Sequence, residues 1–74
     1  MKPRVRAIPE HVESAARRDG VLDFKDEGET ETGLPIGNLT LRSSAEPVYG
    51  DGRWVTKRHA QRIATGWGLE LFEY

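Results

Sequence analysis

A catalytic or metal site in this 74-residue chain would have to come from two histidines, three serines and a run of carboxylates. Neither histidine stands in a ligand motif. His11 falls in the first turn of an expected helix beside Glu10 and Glu13, and His59 flanks the apolar stripe of another. No HExxH spacing is present. Both read as surface or boundary histidines. Nucleophilic catalysis needs a nucleophile, a base and an orienting group, and none of Ser14, Ser43 and Ser44 lies in an elbow sequence. Asp26, Glu27, Glu29 and Glu31 sit in a polar stretch with no apolar surroundings, so nothing would split their pKa values into an acid and a base. An EF-hand frame begun at Asp23 puts Gly28 at the turn position. It also puts Lys25 and Leu34 where carboxylate ligands are required. No glycine-rich phosphate loop occurs. The expectation is therefore no enzyme, no metal and no cofactor.

The remaining chemistry is cationic. Arg53, Lys57, Arg58 and Arg62 gather around an expected helix near the end of the chain. Arg58 and Arg62 are four residues apart on its outer face, where like charges repel mildly, so they do not serve the helix itself. With Gln61 and Thr65 they form a polar face suited to phosphates or to an acidic protein patch. Arg53, Trp54, Lys57, Arg58, Gln61 and Arg62 are the candidate partner-binding residues.

These side chains are positioned by the block from Arg53 to Tyr74. Thr56 suits an N-cap. Ala60, Ile63, Ala64 and Trp67 then recur at helical spacing, an inner stripe that reads as core. Gly66 and Gly68 offer a helix stop. Leu69–Tyr74 alternates as a strand, with Leu69 and Leu71 on one face and Glu70, Phe72 and Tyr74 on the other.

Upstream, Met1–Ala7 reads as an edge strand or arm because of Pro3. Pro9–Asp19 reads as a helix, with Ile8, Val12, Ala15 and Ala16 in a narrow stripe. Glu10 and Glu13 near its start and Arg17 and Arg18 near its end complement the helix dipole, and Gly20 suits its C-terminal cap. Val21–Lys25 alternates as a half-buried strand. Residues 26–33 read as an exposed, mobile acidic loop. Leu34–Arg42 reads as a strand with Leu39 and Leu41 on one side. Val48-Tyr49 and Arg53-Trp54-Val55 flank Gly50-Asp51-Gly52 as a hairpin would, with Tyr49 and Trp54 facing each other. The expected architecture is a small single α+β domain over residues 1–74. It has a mainly antiparallel sheet of three to five strands and two helices, in the order α-β-β-β-β-α-β. The helices are too far apart in sequence for a helix-turn-helix.

Composition bounds the rest. Hydrophobic residues make up 36% and charged residues 31% of the chain, enough for one thin core and not for a deep cavity as well. Cysteine is absent, which excludes disulfides, cysteine-based zinc modules and thiol redox motifs. No apolar run has the length of a membrane span. The basic start lacks the apolar region of a secretory signal, so the expected location is intracellular (cytoplasmic). Asn38-Leu39-Thr40 is a formal glycosylation sequon without that context. The formal net charge of −1 argues against a general nucleic-acid coat. The charge is nevertheless segregated: basic at Arg4, Arg6, Arg17 and Arg18, acidic from Asp19 to Glu31, and basic again from Arg53 to Arg62.

A short, arginine-rich, cysteine-free α+β chain is similar in general character to the small accessory proteins encoded by phages and mobile elements of high-GC bacteria. No motif carries that similarity and it transfers no residue role. It implies a virion-associated location if the chain is phage-encoded. The resulting expectation is a non-catalytic protein-interaction module that docks on a larger protein or on copies of itself. The alternative is nucleic-acid binding through the basic helix face, with Trp54 or Tyr49 stacking on a base. Neither a membrane nor a small-molecule substrate is expected as partner.

Overall fold

A computed structural model describes residues 8–74. The strand expected over Met1–Ala7 lies outside the described residues. The first helix, α1 (Glu10–Asp19), begins after Pro9, whose φ of −66° and missing N–H suit a helix entrance. Val12 and Ala16, one turn apart, are fully buried, and Ile8 and Ala15 pack beside them. Glu13 and Arg17 form the expected ion pair at 2.7 Å. Gly20 closes the helix at φ 77°, donating its N–H to the Ala16 carbonyl at 2.9 Å.

Strands β1 (Val21–Glu29) and β2 (Pro35–Leu41) follow as an antiparallel pair. Leu22 and Phe24 stand beside Leu41 and Leu39 in the register, so all four share one face, and all four are buried. Between Asp26 and Gly28 the register slips, leaving Glu27 as an extra residue, a β-bulge. Asp26 Oδ1 accepts from the Gly28 N–H at 3.0 Å there. The acidic segment expected as a loop over 26–33 is exposed apart from a half-buried Thr30, but Asp26–Glu29 continue β1. Only the connection is a turn, held by Thr30 and Leu34 backbone pairing at 2.9 Å. From Lys25 to Pro35 almost every residue is exposed, so the outer half of this hairpin stands clear of the core as an arm.

The third strand, β3 (Val55–Thr56), is only two residues long and pairs antiparallel with Gly37 and Ile36. The hairpin expected between Val48-Tyr49 and Arg53-Trp54-Val55 does not form. Pro47 instead bridges Thr40, and the Val48 N–H donates to the Leu39 carbonyl at 2.8 Å. Both expected arms thus line the same edge of β2, one after the other. An isolated two-stranded ribbon is marginal in water, whereas the β2 edge offers unpaired ladder groups and a core into which Val48 and Val55 are buried.

Helix α2 (Lys57–Trp67) starts at Thr56, whose hydroxyl accepts from the His59 N–H at 3.1 Å. Ala60 and Ala64 are buried on the predicted inner stripe, with Ile63 and Trp67 packed beside them. Gly68 ends the helix at φ 75°. The chain returns as β4 (Glu70–Glu73), which lies parallel to β1. Because β3 and β4 run the same way, α2 is the crossover that a parallel placement requires. The mixed sheet has the order β3-β2-β1-β4. Both helices pack on its Leu22–Phe24 face into one core cluster. The smallest extent of 20 Å is that of one sheet layer and one helix layer.

Candidate functional site

The solvent face of α2 is the site the sequence proposes. Arg58, Gln61, Arg62 and Thr65 are all exposed on it. Among the described residues, neither Arg58 nor Arg62 makes an ion pair. Trp54, just upstream, is 50% exposed. The other two cations are committed elsewhere. Lys57 Nζ lies 2.9 Å from Glu73 Oε1, pinning the start of α2 to the end of β4. Arg53 forks onto Asp51, with Nη2 2.8 Å from Oδ2, and its guanidinium covers the Tyr49 ring at 5.2 Å. Of the six candidates, Arg58, Gln61 and Arg62 therefore share one exposed helix face, Trp54 is exposed upstream of it, and Arg53 and Lys57 are partnered within the chain.

The charge on α2 runs against its dipole. Its first turn carries Lys57 and Arg58 and no acidic residue, and its last turn carries no basic one. The N-terminus of a helix already has a partial positive charge, so cations there are unfavourable. α1 shows the stabilising arrangement, with Glu10 and Glu13 first and Arg17 and Arg18 last.

Tyr49 and His59 form a pair that the sequence does not reveal. Their rings stack with centroids 5.7 Å apart, and the Tyr49 hydroxyl is hydrogen-bonded to His59 Nε2. Burial pushes the Tyr49 hydroxyl pKa up, with Arg53 opposing and Asp51 adding to the rise. Tyr49 is thus held away from the tyrosinate form. Hydrogen bonds from Arg53 hold the Asp51 carboxyl below its ordinary range. The cluster ties the 47–54 segment to α2 and so fixes where Trp54 emerges.

The second feature lies on the sheet face opposite the helices. Asp23 is only 6% exposed although it points away from the core. Arg42 covers it with Nη2 2.8 Å from Oδ1, and the Tyr74 hydroxyl donates to Oδ2 at 3.2 Å. The Arg42 guanidinium also sits 5.0 Å from the Phe72 ring centre, and Phe72 meets Tyr74 edge to face. The hydrogen bond to Asp23 raises the Arg42 pKa further. These side chains act as a lid for a buried carboxylate, and every polar group in the set has a partner. The alternation of Glu70, Phe72 and Tyr74 signals their shared face. Only the parallel register, which sets Phe72 beside Asp23, brings them to it.

His11 Nε2 meets Glu46 Oε2 at 2.8 Å, an exposed contact between α1 and the 42–47 turn. Among the described residues, no group of three histidine or acidic side chains is placed to hold a metal ion. No helix among them is long and apolar enough to cross a membrane. No family model, curated protein or solved structure matches the chain.

Proposed function

We propose that this chain is a non-catalytic protein-interaction module, docking through the outer face of α2 and Trp54 onto an acidic protein surface. The observation that carries the reading is the placement of Arg58. It sits in the first turn of a helix whose dipole disfavours it, Arg62 repels it from one turn on, and among the described residues no carboxylate answers either. Charges that cost the fold stability are retained where they do something else. A half-exposed tryptophan four residues ahead of the first of these two arginines has the composition of an interface anchor, since Trp and Arg dominate binding hot spots.

An acidic protein surface is favoured over nucleic acid by the neighbouring arm. The strand register sets Gly28 beside Ile36 and Ile36 beside Thr56, so the acidic arm and the start of α2 lie at one level of the sheet. A protein surface can set carboxylates against Arg58 and cations against the arm, whereas a phosphate backbone meets the arm with like charge alone. The test is retrieval of the tagged protein from its source cells followed by native mass spectrometry, with Arg58→Glu/Arg62→Glu alongside. The reading expects a discrete complex that the double variant loses while its circular dichroism stays native. A complex that persists unchanged in the variant refutes it. So does a chain that binds no protein but shifts labelled DNA or RNA at low salt.

A further inference from the structure

Opposite charges lie side by side at one end of the molecule. Gly28, Ile36 and Thr56 are successive neighbours across three strands, about 10 Å from first to last at the usual strand spacing. On one side of that line stand the exposed Glu29 and Glu31 of the arm. On the other stand the exposed Arg58 and Arg62 of α2. Each pair is compact: Glu29 ends β1 and Glu31 follows it in the turn, and residues four apart on a helix are about 6 Å apart. Among the described residues, neither acid pairs with either arginine in the same chain. Two large apolar side chains are exposed nearby in the chain, Leu34 at the hairpin turn and Trp54 just before β3, at 46% and 50%.

A patch with an acidic half and a basic half is complementary to itself under a two-fold rotation, the symmetry of most homodimers. We propose that this end is a docking surface for a second copy of the chain. The arm of each protomer lies on the α2 face of the other. The proposal rests on the α2 reading above and names its partner. The exposed ion pairs set register and orientation but contribute little affinity. The affinity comes from burying Trp54 and Leu34.

The experiment is sedimentation equilibrium at low ionic strength and high micromolar concentration. The native chain should exceed its 8.3 kDa monomer mass and approach twice that value, and added salt should weaken the dimer. Arg58→Glu/Arg62→Glu and Glu29→Lys/Glu31→Lys should each be monomeric, and their equimolar mixture should regain the dimer because one contact is then native and the other is restored with reversed charge. Glu10→Lys/Glu70→Lys, with the same charge change at other exposed sites, should dimerise with itself and should not draw labelled Arg58→Glu/Arg62→Glu into the dimer. Trp54→Ala should weaken the native dimer by about tenfold or more. A native chain that stays monomeric overturns the proposal, as does rescue by the control mixture to the same extent. A monomer that still loses a cellular protein partner on Arg58→Glu/Arg62→Glu overturns self-docking and leaves the α2 reading standing. A cellular complex unaffected by that variant overturns the α2 reading as well.

Discussion

A Cβ placed on Gly37 would overlap the Lys25 carbonyl oxygen and crowd the Asp26 Cα. Gly37 is the strand residue opposite the bulge, paired with Asp26 on one side and Val55 on the other. The close approach there involves backbone, which has little room to yield. Gly37→Ala is expected to cost about 1–3 kcal/mol, the usual range for forcing extra volume into a packed site, measured as a lowered urea midpoint. In the sequence this glycine reads as an irregular strand start, because the bulge that makes it necessary belongs to another strand. Tyr49 shows the same dependence on distant partners. Its expected companion, Trp54, is close in sequence, and its actual companion, His59, is brought to it by the turn into α2. Burial raises the Tyr49 pKa above its ordinary value of 10.0. The folded chain therefore holds that proton more tightly than the unfolded chain. Its contribution is intact below pH 10 and is lost as pH climbs through the raised value. Thermal unfolding between pH 9 and 11 should show a steeper loss of stability for the native chain than for Tyr49→Phe. Equal slopes would mean that Tyr49 contributes nothing to alkaline unfolding.

The two helices differ in how their charges serve them, and that difference separates stability from function. Arg58→Glu replaces a cation by an anion in the first turn of α2. It should stabilise the helix by about 0.3–1 kcal/mol through the dipole while weakening association. A variant that is more heat-stable yet binds less well would show that Arg58 is kept for a partner; one that is less stable would remove that argument. The caps, stripes and glycine stops of both helices were legible in the sequence, because helix signals are local: Thr56, the Ala60–Ala64 stripe and Gly68 all lie within one short stretch. The strands were less so. Their approximate positions followed from alternation, yet the apparent Val48–Val55 hairpin dissolved into two separate contacts with β2. Alternation marks which residues can pair and does not say with what. The basic outer face of α2 was legible as a face; that Arg53 and Lys57 would be drawn off it by Asp51 and Glu73 was not. The lid on Asp23 was invisible for the same reason, since its members come from β1, β4 and the residues directly after β2 and β4.

The molecule as a whole is a two-layer sandwich from which an acidic ribbon projects. Every buried apolar side chain of β1 and β2 lies at the inner end, at Leu22, Phe24, Leu39 and Leu41. The outer ladder from Lys25 to Pro35 has hydrogen bonds and almost no packing. Amides with few buried contacts open locally without global unfolding. Hydrogen exchange in the monomeric Arg58→Glu/Arg62→Glu variant should therefore be fast from Asp26 to Ile36 and slow at Leu22, Phe24 and Leu39. Protection across the arm equal to that of the inner strands would show it to be part of the cooperative unit. One further property follows from the parallel seat of β4. β1 is flanked by β2 on one side as soon as the first hairpin forms, and, among the described elements, by β4 on the other only once residues 70–73 have been synthesised. A nascent or truncated chain that carries the first helix and hairpin thus presents an open strand edge beside Leu22 and Phe24 that α2 has yet to cover. Chains cut short before α2 and β4 should be captured by chaperones or accumulate as aggregates. Synthesis of α2 and β4 converts that exposed intermediate into a protected product.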